Sequence, residues 1–484
     1  MMAGLFASVR RIVPLAWPVF IGQLAVLGFG TVDTVLMARR SPTDLAALAV
    51  GSASYITVFI GLMGVVLAVS PIVGQLFGAN RLREAGHQAW QALWLALALG
   101  LIGCTLLAFP APFLTLAQAS PAVAEKVRGY LMALAFALPA SLLFTVYRGF
   151  NIAVSRPKAV MTLQLGGLAL KIPLSMALVS GVPALGIPAL DLLGCGLSTM
   201  VAMWVQTLIA WLVLRRDPFY HRFDMGAPGQ RALHLGSQRA LLRLGMPIGM
   251  SILVEVTAFA FMAIFISRLG ETAVAGHQIA ANLVSLLFML PMGLGNATST
   301  LVAQRIGAGD LRDARRLGWH GMQFTLMLAL VVGCLVYALR EQVLQLYTDN
   351  PAVMAAAMPL LAWVAMFHAA DALQTSAAFV LRAWRIATWP MVIFVLALWG
   401  VGLGGGHTLA FSMGDALPLS WQGASGFWLA STVGLSLAAG ALTGLLAWVL
   451  SRQGLRQLPA HPFAQGPEPT SARPLSRPAG PPAS

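Results

Sequence analysis

Apolar runs of about 20 or more residues recur along the chain, and each is long enough to cross a hydrocarbon layer of about 30 Å as a helix. Twelve stand out. The first six lie at about Ile12 to Ala38, Ala46 to Phe77, Gln88 to Phe109, Val127 to Phe150, Ala159 to Ser180 and Leu192 to Leu214. The second six lie at about Leu241 to Ser267, Ala273 to Gln304, Leu317 to Leu339, Val353 to Leu381, Trp389 to Phe411 and Gly423 to Leu450. The longest connection, Arg215 to Ala240, is rich in Arg, Gly and Pro and divides the chain nearly in half. Beyond Arg452 the sequence turns to Pro, Ser and Ala with scattered Arg, which cannot bury enough apolar surface to offset its ordering entropy. The pattern predicts an all-α membrane protein: spans 1–6 in residues 1–214, a linker at 215–240, spans 7–12 in 241–452 and a disordered tail at 453–484.

The two halves repeat one another. At an offset of 229 residues Pro18 falls on Pro247, Met63 on Met292, Gln75 on Gln304, Gly78 on Gly307, Arg83 on Arg312 and Trp90 on Trp319. A gapless register that carries a rare Trp and a Q-x-x-G-A pattern at a membrane exit reads as a duplication of six spans. Six is even, so both copies enter the membrane from the same side and are related by an axis along its normal, with a substrate site expected at their interface near the midplane. The acids do not repeat: Asp33 aligns with Met262 and Glu255 with Val26. The two copies therefore carry different acidic equipment.

Composition agrees with the pattern. Hydrophobic residues make up 58% of 484 and charged residues 10%, with mean hydropathy +0.80, outside the range of water-soluble domains. The net charge of +14 raises the question of an anionic partner, and the placement of the basic residues answers it. Taking both termini as cytoplasmic, 23 Lys and Arg fall on inside loops and tails, counting Arg148 and Arg382 among them, and 6 on outside loops. The positive-inside rule accounts for this bias without a nucleic acid. Cys104, Cys195 and Cys334 all lie in apolar segments and offer no disulfide or metal spacing. There is no Gly-Lys pair, hence no Walker loop, and no HExxH or nucleophile elbow. Coupling to an ion gradient remains, with no cofactor and no enzymatic site.

Candidate chemistry sits in the few acids that interrupt the spans. Asp33, Glu255 and Asp371 lie well inside apolar sequence, where an ionised side chain costs about 2.5 to 3.5 kcal/mol on insertion scales and so marks a cavity, a partner or an ion path. Span 8 brings His277, Gln278, Asn282 and Ser285 near Glu255, and span 10 places Phe367, His368, Gln374 and Thr375 within a turn of Asp371. Such oxygens suit a hard cation such as Na⁺, and a buried carboxyl suits a proton; either would compete with a positively charged substrate. Phe259, Phe261, Phe288, Met289 and Met292 offer an adaptable apolar and π surface for that substrate. His277 and His368 are equally consistent with proton shuttling and with packing.

The segments PIGMSILVEVTAFA, AGHQIAANLVSLLFMLPMGLGNAT, TVDTVLM and ADALQ, with the two Q-x-x-G-A exits, resemble the multidrug and toxic compound extrusion (MATE) transporters, in their NorM-like branch. The resemblance covers about residues 10 to 450. It implies a two-lobed, V-shaped body of twelve helices around a central cavity, a monomer in the bacterial inner membrane. Its implied function is export of cationic amphiphiles in exchange for Na⁺ or H⁺ by alternating access. It assigns Glu255, Asp371 and Asn282 to a cation site in the C-lobe and Asp33 to the N-lobe, with Phe259, Gln278, Phe288, Met289, Met292, Phe367 and Gln374 lining the substrate cavity. Two departures stand out. Span 5 reads LKIPLS, with Lys171 and Ser175 where the family commonly has asparagines, and Phe367 stands where a tyrosine is found. Lys171 is accordingly expected as a tethered counter-ion for Asp33, leaving Glu255 and Asp371 to couple transport. The alternative is a lipid-linked oligosaccharide flippase of similar architecture, which favours a cavity rich in Arg or Lys; only Lys171 reads as clearly intramembrane.

Overall fold

In a computed structural model, residues 2–118, 120–182, 186, 188–412, 418 and 421–451 are described. The expected tail at 453–484 lies outside them. The twelve spans are helices at Gly4–Ala38, Pro42–Gly78, Leu82–Ala108, Pro121–Ala153, Pro157–Ser180, Asp191–Arg216, Leu235–Ser267, Glu271–Gly307, Leu311–Ala338, Pro351–Ala383, Thr388–Ser412 and Gly423–Val449. Several begin by one device: Ser41, Ser120 and Asn350 each accept a backbone N–H of the first turn, and a proline follows at the first helical position. Span 2 is interrupted at Leu67 and Ala68, because Pro71 has no N–H to give the Leu67 carbonyl. Span 11 widens to a π-helix at Val395–Gly404, within its glycine-rich sequence.

Each half packs as a bundle, and the pairings repeat. Span 4 packs on spans 2, 3 and 6, and span 10 on spans 8, 9 and 12; span 5 packs on spans 1 and 6, and span 11 on spans 7 and 12. Between the lobes, span 1 meets span 8 and span 7 meets span 2. Those meetings concentrate toward the Arg-rich end of the helices. Gly78 lies against the Gln304 backbone and Gly307 against the Gln75 backbone, each so close that a Cβ would collide with a carbonyl. Gln75 Nε2 donates across the seam to Ala383 O at 2.8 Å, and Gln304 Nε2 donates back to Ala153 O at 2.7 Å and Ser155 Oγ at 2.8 Å. The Q-x-x-G-A repeat is thus a reciprocal clasp: glycine admits the opposite backbone, and glutamine satisfies the opposite helix terminus.

The clasp is extended by contacts from a second register pair, Ser8 and Ser237. Ser8 pairs with His320 Nδ1 at 2.8 Å, while its repeat mate Ser237 accepts from Gln88 Nε2 at 3.1 Å. The ionic part is one-sided: Asp313 accepts from Arg11 at 2.9 Å and from Arg305 at 3.1 Å. The outermost hydrogen bond between lobes among the described residues is Gln23 Nε2 to Met292 Sδ at 3.4 Å.

The linker is a packed structure rather than a loose tether. Tyr220 and Phe223 are buried, Tyr220 OH donates to Asn151 Oδ1 at 2.6 Å, and Trp90, Gln91 and Trp94 donate to the carbonyls of Met225, Ala232 and Arg231. The Phe219 amide, together with Arg156 at 2.7 Å, holds the Asp217 carboxyl below the usual carboxylate range. Span 7 begins at Leu235, inside the stretch expected as linker, because Ser237 and Gln238 have partners on span 3. Gly78→Val should pry the clasp apart: amide exchange across residues 301–309 is expected to speed by about tenfold or more with spans 5 and 6 unchanged. Unchanged exchange there would show that closure does not depend on this approach.

Candidate functional site

Helix geometry builds the C-lobe site. Asp371, Gln374 and Thr375 stand at i, i+3 and i+4 on span 10 and share one face, which Glu255 approaches from span 7. Gln374 Nε2 donates to Asp371 Oδ1 at 3.0 Å, to Glu255 Oε1 at 3.2 Å and to Thr375 Oγ1 at 3.1 Å. One amide therefore joins two carboxylates that belong to different helices. Asp371 and Gln374 are 3% and 1% exposed, whereas Glu255 is half-buried. Gln374 Oε1 is buried with no hydrogen-bond partner, so the cluster holds an unspent acceptor beside two anionic groups, a donor set suited to a small hard cation. Arg382, on the same helix, lies close enough to act electrostatically on Glu255 without a direct ion pair.

An aromatic wall adjoins this cluster. Phe367 packs edge-on to Phe259 at 5.7 Å and to Trp428 at 5.7 Å, and His277 faces Trp428 at 5.9 Å. His277 and His368 are both 2% exposed, and each has one ring nitrogen without a partner.

The other expected positions are distributed as follows. Phe367, expected to line the substrate cavity, is 5% exposed and belongs to the C-lobe core, because an aromatic ring without a hydroxyl is best placed among Phe259 and Trp428. Gln374, also expected on the cavity wall, is the bridge between the acids. Asn282 is exposed, and its Oδ1 accepts from Tyr347 OH at 2.9 Å, outside the hydrogen-bonded cluster. Gln278 is likewise exposed, while Phe288, Met289 and Met292 are half-buried. Ser175 bonds Ser198 at 2.7 Å and does not touch the Asp33 carboxylate.

In the N-lobe, Lys171 Nζ lies 2.8 and 3.1 Å from the two Asp33 oxygens. The expected counter-ion is in place.

Arg148 and Arg382 were expected on inside loops, and both are instead half-buried within spans 4 and 10. Arg148 donates to Gln23 Oε1 and Met63 Sδ, each at 3.4 Å, and Gln23 passes the chain to Met292. Met63 accepts from this guanidinium directly, and its repeat mate Met292 is reached through Gln23, by the outermost interlobe hydrogen bond. A charge census by position in the sequence misses this, since a guanidinium near a helix end reads as a loop cation. Trp428 and Thr199 carry no sequence signal of their own; only packing brings Trp428 against Phe259, Phe367 and His277, and Thr199 to the Lys171 ammonium.

Comparison with known proteins agrees with this architecture. The MatE family model matches twice, at residues 18–177 and 247–406, which reproduces the 229-residue register. The probable multidrug resistance protein NorM of Aromatoleum aromaticum is 39% identical over 453 residues, covering 92% of this chain and 96% of that protein. The multidrug resistance protein PmpM of Pseudomonas aeruginosa is 36% identical, covering 90% of each. Among solved structures, the eukaryotic MATE transporter AtDTX14 superposes with a TM-score of 0.82 at 19% identity, over 94% of this chain and 98% of that one. An outward-facing multidrug resistance MATE transporter of the MOP superfamily gives 0.81 at 18%, over 92% and 96%. With its duplicated six-helix lobes and two matches to the family model, the chain belongs to the MatE family.

Proposed function

We propose that the protein is a secondary multidrug efflux antiporter in which the Glu255, Gln374 and Asp371 cluster holds a coupling Na⁺ or H⁺ and a cationic amphiphile in turn. The observation that carries this reading is the single amide between two carboxylates of different spans, with its own carbonyl oxygen unspent. A cation or proton arriving there neutralises the acids and releases the Gln374 amide to turn its oxygen inward. Because Glu255 is on span 7 and Asp371 on span 10, occupancy alters the force between two helices of one lobe. A bulky cation drawn to the half-buried Glu255 competes for the same charge. The naming of the relatives as multidrug resistance proteins supports the substrate class.

The Arg-rich end is the cytoplasmic one on the positive-inside rule, with both termini there, in a bacterial inner membrane. The clasp closes that end, so this conformation is the one that opens outward, and the transporter works as a monomer because each chain supplies both lobes. The flippase reading, which favours a cavity rich in Arg or Lys, is disfavoured at Lys171, whose ammonium is spent on Asp33.

In energised vesicles with Na⁺ and pH gradients imposed separately, one gradient should drive efflux of a cationic dye, and Glu255→Gln and Asp371→Asn should each reduce that efflux by about tenfold or more. Normal efflux in both variants would remove the acids from the mechanism. Gln374→Leu keeps the volume but deletes the bridge, and should cost roughly tenfold in cation-driven efflux. Asn282→Ala should stay within about twofold of the parent, since its partner is Tyr347. The reverse order of effects would move the coupling site toward span 8.

A further inference from the structure

We infer that the pocket around Asp33 is a complete monovalent-cation site filled by the chain's own ammonium, and that it accepts a free primary alkylammonium once the Lys171 stem is removed. All three donors of the ammonium are met. Asp33 Oδ1 and Oδ2 lie at 2.8 and 3.1 Å and Thr199 Oγ1 at 2.6 Å, from spans 1 and 6. Thr199 spends its own proton on Cys195 O at 2.9 Å, which leaves its lone pairs for the cation. The Phe29 ring supplies a π face, with its centroid 5.5 Å from Nζ. Lys171 is 0% exposed and Asp33 5%.

None of these ligands comes from span 5 itself, the helix that carries Lys171. Ser175, one turn further on, donates to Ser198, whose hydroxyl proton goes to Cys195 O, so neither competes for the ammonium. The cradle is therefore built by spans 1 and 6 for a small cation, and the aliphatic stem only delivers one. Replacing Lys171 by Ala removes three methylenes and the ammonium, the shape of n-propylammonium. While Lys171 is present, Asp33 has no charge to offer an exchanging ion, so the N-lobe adds no coupling cation to those taken by Glu255 and Asp371. This deepens the antiport reading, but its test does not require transport.

Thermal unfolding of purified Lys171→Ala in detergent, with n-propylammonium, n-propanol or no addition, separates the outcomes. The cation should raise Tm by roughly 3 °C or more beyond its effect on the parent, as a ligand of the folded state does. Propanol, of the same shape without charge, should not, and Asp33→Asn combined with Lys171→Ala should abolish the response. If Lys171→Ala folds only when prepared in n-propylammonium, the inference is likewise supported. Equal stabilisation by propanol, no stabilisation by either, or a single variant that stays unfolded in propylammonium while the double variant folds would each overturn it.

Discussion

A charge held in hydrocarbon must find its partner inside the protein, and that requirement organises both lobes. Leaving one member of a buried ion pair alone costs about 3 to 5 kcal/mol, so the acids of spans 1, 7 and 10 dictate what their neighbours can be. The N-lobe answers with a full opposite charge: Lys171 closes on Asp33 with Thr199 and Phe29 around it. The C-lobe answers with less. Gln374 gives two carboxylates one neutral amide, and a hydrogen bond to a charged group is worth only about 1.5 to 3 kcal/mol net. Compensation is therefore incomplete at the second pair, while the first is satisfied as it stands.

The mechanical frame obeys a different constraint, that of close backbone approach. Gly78 and Gly307 let each lobe's exit helix lie against the other's glutamine carbonyl, and Gln75 and Gln304 then reach the termini of spans 10 and 4. Because both hydrogen bonds are neutral, separation of the lobes exposes amides and carbonyls that water can satisfy, with no buried ion left behind. The Arg11–Asp313–Arg305 cluster adds an ionic contact on one side only. A seam of that kind can open without a large penalty, as a structure cycling between two arrangements requires.

What the sequence made legible follows from these constraints. Span number, the duplication and the acids in apolar runs were readable because hydrocarbon tolerates so few polar residues that each one stands out. The pairing of Lys171 with Asp33 was readable for the same reason, being two opposite charges in one lobe. Residues whose role depends on helix rotation were not. Nothing in the sequence distinguishes a Gln374 that bridges acids from one that lines a cavity, or turns Asn282 toward Tyr347, because a turn of span 10 or span 8 presents amides on several faces. Arg148 was misplaced because its distance from the end of span 4 suggests solvent, whereas its side chain lies between Gln23 and Met63.

The two lobes therefore share a frame and differ in chemistry, and the frame explains why they can. The clasp itself uses glutamines and glycines held in the 229-residue register, with Ser8–His320 and the one-sided Arg11–Asp313 contact added beside it, so the duplicated halves share one frame whatever their interiors contain. The acids occupy positions the register does not match: Asp33 opposite Met262, Glu255 opposite Val26. The clasp is thus encoded twice, whereas each lobe carries its own acids. A substitution inside one lobe can change the charge of its interior without disturbing how the lobes meet. Lys171 in span 5 shows this, since it satisfies Asp33 locally and leaves Gln75, Gly78, Gln304 and Gly307 in contact.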